Sequence, residues 1–210
     1  MKGIIFNKYG LEDEVIVGKK TITKRPIIMP DKINGIAVAG WTKYRNALGQ
    51  WDLVLTDEDE FTIEGGNVIP PYEIGEIIAI KQSYNNIKYA FLRKFLNDDE
   101  IFKSKGYKNK MFVNPVFMPH HIQITNIYPT YVQDITEEEA LAAGIIKWDK
   151  YGDEKDYNYV APNVGYWRGF GWNDYKTPQE AYGVLINKIY GKNVWEENEM
   201  WWTIEFKTID

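Results

Sequence analysis

The stretch Gly18-Lys19-Lys20-Thr21-Ile22-Thr23-Lys24-Arg25-Pro26 places four cations and two hydroxyls side by side. Thr21, Ile22 and Thr23 favour extended backbone, and Pro26 biases Arg25 away from the helix. Alternate side chains of an extended segment share a face. Thr21, Thr23 and Arg25 then point one way, and Lys20, Ile22 and Lys24 the other. A guanidinium or ammonium can hold a phosphate, and hydroxyls can bind sugar or base edges. If Lys20 lies buried in the mouth of a barrel, desolvation lowers its pKa, and it can serve as a base toward Thr23 or a water. Exposed basic loops share this composition, so the pattern alone leaves a site and a solvated loop both open.

Outward from this strand the chain reads as sheet-rich up to about residue 130. Lys2–Phe6 is apolar and β-branched enough for a first strand, and Leu11–Val17 suits a short helix stopped by Gly18. Ile36–Trp41, Trp51–Thr56 and Phe61–Glu64 read as short strands, with Gly65-Gly66-Asn67 as a turn. Ile77–Tyr84 and His121–Ile127 read as strands, and Ile87–Leu96 has helical spacing. Thr136-Glu137-Glu138-Glu139 is a capping box with Gly144 as its stop. Thr177-Pro178-Gln179-Glu180 opens a helix that Gly191 ends. Met200–Thr208 is a final strand with Trp202, Ile204 and Phe206 on one face. The expected class is α+β, with a small, mostly antiparallel barrel or curled sheet and flanking helices.

Composition narrows the chemistry. The chain has 210 residues, 44% hydrophobic and 26% charged, which suits a folded globular protein. It has no cysteine, hence no disulfide, thiolate nucleophile or zinc-thiolate site. The two histidines, His120 and His121, are adjacent, so in a strand they face opposite ways and make no metal pair. No Gly-x-Ser-x-Gly elbow and no Gly-rich phosphate loop appears. No cofactor or metal is expected. No apolar run reaches the ~18 residues of a membrane span, so a cytoplasmic location is expected.

The net charge of −5 argues against a generic nucleic-acid coat. Residues 1–50 nevertheless carry +5, and residues 134–158 carry −5. A locally basic face can bind an anion on an acidic protein. Residues 147–176 are rich in Trp, Tyr, Gly, Asn and Asp and read as a long loop with aromatic anchors. Trp148, Trp167, Trp172 and Trp195 fall in loops or turns, where an indole can either stack on a base or pin the loop to the core.

The order of these features resembles the ASCH domain family, especially its longer phage and prophage members. Gly18 to Pro26 is similar to the family's Gly-[Arg/Lys]-Lys-Thr-x-Thr-[Arg/Lys]-Arg signature. Tyr72 to Tyr84 resembles its central strand, and Phe117-Met118-Pro119-His120 its Met-Pro-[Arg/His] step. Ile124 to Ile145 and Pro178 to Phe206 resemble its closing strands and helices. The resemblance implies one PUA-like domain over 1–210, a small β-barrel with inserted loops at about 28–70, 85–115 and 147–176. It implies a cleft for RNA or a nucleotide, formed by Lys19, Lys20, Thr21, Thr23, Lys24, Arg25, Gln82 and Tyr84. It places the protein in a bacterial or phage-infected cell.

One branch of that family removes the acetyl group from N4-acetylcytidine with a lysine, a threonine and a glutamate. The first two correspond to Lys20 and Thr23, whereas the glutamate position falls on Ala143 and the family's Arg-Glu pair is Lys81-Gln82 here. Amide hydrolysis needs a proton shuttle to the leaving amine, and alanine cannot supply one. The expectation is therefore a binding module first and an amidohydrolase second. A third reading, a phage-encoded module engaging a protein through the 147–176 loop, rests on its aromatic content.

Overall fold

The computed structural model describes residues 1–6, 11–46, 49–149, 157–160 and 175–209, without the side chains of residues 148, 149, 157 and 158. The stretch 147–176, expected as a loop, therefore lies largely outside the described residues, as do Trp167, Trp172 and the side chain of Trp148, and its described part is no loop, since residues 146–149 and 157–160 pair as antiparallel strands.

The chain opens with β1 (Gly3–Ile4), α1 (Leu11–Ile16) and β2 (Ile22–Pro26). A hairpin, β3 (Lys32–Ile33) and β4 (Ile36–Ala37), follows. Asn34 and Gly35 between its strands have φ of 51° and 85°, the left-handed pair that a two-residue hairpin turn requires. Next comes a meander of β5 (Gly40–Arg45), β6 (Trp51–Thr56) and β7 (Thr62–Val68). Then β8 (Ile77–Ile80) leads into a run of short helical turns that includes α2 (Tyr89–Leu92) and α3 (Asp98–Phe102). The last part holds β9 (His121–Tyr131), α4 (Glu137–Ala142), β10 (Ile146–Asp149), β11 (Tyr157–Val160), α5 (Pro178–Tyr190), α6 (Val194–Glu197) and β12 (Met200–Thr208).

The main sheet has five strands in the order β1-β8-β9-β12-β2. Only the β1–β8 pair is parallel. The fold is thus α+β with a mixed sheet. Strand β12, between β9 and β2, is buried on both faces: Trp201, Thr203, Trp202 and Ile204 are all inaccessible. The two edge strands come near each other, since the Arg25 guanidinium on β2 donates to the Ile5 carbonyl just past β1. Among the described residues no ladder joins those edges and no closed barrel is found. The gap between the edges becomes a cleft. Helix α5 meets the outer edge of β2, where Tyr190 OH donates to the Lys24 carbonyl at 3.4 Å.

Several local expectations change. The strand expected over Ile36–Trp41 breaks after Ala37, and its two parts pair with different partners, β4 with β3 and β5 with β6. Gly65 and Gly66 lie inside β7 and do not turn the chain. The β6–β7 register shifts there, Gly65 has φ of 79°, and a Cβ on Gly66 would sit 2.8 Å from the Ile63 carbonyl oxygen. These glycines permit a bulge. The strand expected over Ile77–Tyr84 ends at Ile80, and Tyr84 opens a 3-10 turn. Tyr84 then joins a separate cluster with Leu92, Ile101, Val113 and Met118. That small core anchors the chain between β8 and β9.

Both helix starts read from capping pairs are present. The Thr136 side chain accepts from Glu139 N–H, while Glu139 accepts from Thr136 N–H. Thr177 accepts from Glu180 N–H, with Pro178 in the first turn. Each such cap contributes about 1 kcal/mol. Trp195 stands edge-on to Tyr182 and packs against Gly183, so it pins α6 to α5.

Candidate functional site

The cleft between β1 and β2 has a volume of about 590 Å³ and is mostly apolar, with Tyr72 and Trp202 in its walls and Arg25 and Lys81 as its cations. A smaller cavity of about 140 Å³ adjoins it and is lined by Lys20, Thr23, Arg25 and Tyr190 among others. Ile5, Arg25 and Tyr190 belong to both. The larger space falls within the range of small-molecule sites, about 300–1,000 Å³.

Each wall has a local cause. Thr23 and Arg25 are alternate residues of β2 and face the same side. Trp202 pairs with Arg25 across the β2–β12 ladder and so shares that side. Lys20 precedes β2, in the turn after α1, where its N–H donates to the Glu14 carbonyl at 2.9 Å. It therefore escapes the alternation that was expected to turn it away from Thr23 and Arg25.

Lys20 is 3% exposed. Its ammonium donates to the carbonyls of Ile22 and Ala143, both at 2.6 Å. Burial, with a smaller push from the Arg25 charge, lowers its pKa to about 7. The third N–H of Nζ donates to no acceptor among the described residues. Gly144 helps to form this seat. Its φ of +101° lets the chain turn after α4, and a Cβ there would lie 2.9 Å from Leu11 Cδ2. Ala143, the position of the family's glutamate, thus contributes its carbonyl to Lys20.

Arg25 uses its guanidinium twice, toward Ile5 O and toward Tyr190 OH at 3.4 Å, and its side chain lies 5.9 Å from the Phe6 ring centroid. A guanidinium has five N–H donors, so donors remain for a guest. No Asp or Glu lines either space among the described residues, and no hydrogen bond links Lys20 to Thr23.

The other expected residues go elsewhere. Lys24 is buried on the opposite face, donating to Thr130 Oγ1 at 3.0 Å and to the carbonyls of Tyr131 and Asp134 at 2.9 and 2.7 Å. Burial lowers its pKa to about 8 against the pull of Glu139 and Asp134. Lys19 is exposed and lies 3.7 Å from Glu14. Thr21 lines neither space. Gln82 Nε2 donates to Glu12 Oε1 at 3.2 Å, and Glu12 also accepts from Lys110 at 2.7 Å. Tyr84 OH accepts from Asn114 N–H at 3.1 Å inside the second cluster, where it cannot stack on a ligand. Of the eight expected residues, the structure brings Lys20, Thr23 and Arg25 together.

Tyr72, Lys81, Tyr190 and Trp202 are the walls that sequence reasoning missed. Lys81 had a usable signal: it neighbours Gln82 in an extended segment, so only one of the pair can face the cleft. Trp202 had another, its position on the same face as Ile204. Among the described residues no group of three or more His, Asp or Glu could hold a metal ion, and no helix is long and apolar enough to cross a membrane.

No family model matches the chain, nor does any curated protein or solved structure.

Proposed function

We propose that the chain is a nucleotide- or RNA-binding module whose β1–β2 cleft takes a ring-bearing anion. The observation that carries this reading is the convergence of Lys20, Thr23 and Arg25 on a small cavity that shares walls with a larger, mostly apolar cleft. The base would lie against Tyr72, where aromatic stacking contributes about 1–3 kcal/mol, with the edge of the buried Trp202 in the apolar wall. A phosphate or ring substituent would take the remaining N–H groups of Arg25, with Thr23 and Lys20 at the smaller space. The PUA-like relationship belongs to the same proposal: a curled sheet with a basic edge strand supports it, and the open β1–β2 gap departs from a barrel.

Calorimetric titration with the four ribonucleoside 5′-monophosphates tests the reading. At least one binds, more weakly as salt rises. Affinity unchanged by Lys20→Ala together with Arg25→Ala rejects the site.

The amidohydrolase reading draws support from Lys20 and Thr23 at one cavity and from the lowered lysine pKa, which leaves an appreciable neutral fraction near pH 7. It lacks a carboxylate to return the proton. Incubation with N4-acetylcytidine decides it, since turnover that disappears in Lys20→Ala would displace the binding reading.

A further inference from the structure

The chain between β8 and β9 carries an unusual exposed surface. Residues 85–115 hold seven Lys and Arg against three acids, a net of +4, whereas the remainder of the chain carries −9. Arg93 and Lys103 pair with Asp98 and Asp99, and Lys110 pairs with Glu12. Among the described residues Lys88, Lys94, Lys105 and Lys108 have no carboxylate partner and are exposed.

Aromatic rings sit between these lysines. Tyr89 stacks on Phe102 at 5.9 Å, and Phe95 on Phe117 at 5.7 Å, so each pair covers one ring face and leaves part of the rings in solvent. Tyr89, Phe95, Phe102 and Phe112 are about half exposed. Lys94 stands over Phe91, and Lys105 over Phe112. Burial of these rings in a core is the ordinary outcome. Their exposure among unpaired cations marks a surface for a partner that is both flat-ringed and anionic.

This surface reaches the cleft through contacts. Lys81 lines the cleft and donates to the Met111 carbonyl at 3.0 Å. Phe112 follows Met111 and meets Lys105. Tyr107, in the same turn as Lys105, stands edge-on to Phe102, which stacks on Tyr89.

We propose that the exposed rings and unpaired lysines of residues 88–112 bind single-stranded nucleic acid, as the path of a strand whose terminal nucleotide occupies the cleft. The position of that end rests on the cleft reading, whereas the ring surface itself does not. Bases stack on Phe112 and Tyr89, and phosphates pass the lysines between them. A protein partner fits less well, because four unpaired lysines would need matching carboxylates around the rings.

Fluorescence anisotropy with a twelve-nucleotide oligouridylate, the matching oligothymidylate and uridine 5′-monophosphate as competitor tests this. The oligomer binds at least about tenfold more tightly than the monophosphate. Phe112→Ala with Lys105→Gln weakens the oligomer about tenfold or more and lowers its salt slope by about 0.7. The monophosphate affinity stays unchanged, and so does the melting temperature, since both residues are exposed. Equal binding of the two oligomers, or a preference for RNA, both agree with the proposal. An oligomer no tighter than the monophosphate overturns it while the cleft reading stands. So does oligomer binding indifferent both to this pair and to Tyr89→Ala with Lys94→Gln. An oligomer that needs these rings yet ignores Arg25→Ala keeps this surface and removes the cleft reading. No oligomer binding at all overturns the proposal and leaves the rings as a protein-docking face.

Discussion

Lys20 and Lys24 are four residues apart, both buried, and placed in opposite surroundings. Lys24 meets three oxygen acceptors, with the Asp134 and Glu139 carboxylates adding favourable charge. Lys20 meets two carbonyls, has the Arg25 cation as its charged neighbour, and borders a cavity. A buried cation is costly unless its surroundings compensate for lost water. Around Lys24 the protein does so fully, which ties β2 to the loop between β9 and α4. Around Lys20 it does so only in part, which leaves a polarised amine where a guest can reach it. Burial alone therefore does not separate the two lysines; the number and charge of their partners does.

The largest expected effect tests the structural half of this contrast. Lys24→Met takes the ammonium donor from the Tyr131 and Asp134 carbonyls, at about 1–3 kcal/mol for each buried group left unsatisfied, while the Thr130 hydroxyl keeps Thr203 as a partner. A total near 3 kcal/mol would lower the melting temperature by roughly 9 °C in a chain of this size. Lys20→Met costs less, about 1 kcal/mol, because it also removes a poorly compensated charge. Urea unfolding of both variants measures the difference. Equal losses would remove the distinction.

Next in size is Arg25. It bridges the gap between the two sheet edges and faces both cavities. Arg25→Ala weakens nucleotide binding by about ten- to a hundredfold, the scale of a charge-assisted hydrogen bond of about 1.5–3 kcal/mol. Lys24→Met, assayed at a temperature where it is folded, leaves that affinity within twofold. A calorimetric series on the two variants would place the site on the wrong face if Lys24 proved the more important.

A third test uses pH. Both folded pKa values lie below the unfolded value of 10.5, at about 7 for Lys20 and about 8 for Lys24. Between its folded and unfolded values each lysine holds more proton in the unfolded chain, so stability rises with pH across that window. The lower edge belongs mainly to Lys20. Wild-type stability climbs from pH 7 to 8 by up to ~1.4 kcal/mol, and Lys20→Met removes the larger share of that rise while Lys24→Met removes the smaller. Chemical denaturation at those two pH values reads the slope directly.

The sequence exposed what is local. The Thr136 and Thr177 caps, the extended run at Ile22–Arg25 and the final strand Met200–Thr208 each depend on neighbours within a few residues, and each forms. The Asn34-Gly35 turn was equally legible in the residues and went unread. The seat of Lys20 was not legible, because its acceptor on Ala143 lies 123 residues away and depends on the turn at Gly144. Tyr190 enters the site only because α5 meets the edge of β2. Tyr84 and Gln82 were misplaced for a third reason. Where a strand stops is set by packing, and here Tyr84 is drawn into a second core built from residues up to Met118.

Lys19 supplies the smallest effect and the control for the whole contrast. It stands between the same glycine and threonine as Lys20 and belongs to the same basic run, so composition cannot tell the two lysines apart. Its side chain is 74% exposed and lies 3.7 Å from Glu14. An exposed pair of that kind contributes at most about 1 kcal/mol and often nothing measurable. Lys19→Ala accordingly shifts stability by less than about 0.5 kcal/mol and changes nucleotide affinity less than twofold. A loss comparable to that of Arg25→Ala, measured by the same titration, would mean that the basic run acts through its total charge and not through the two side chains that reach the cavity from it.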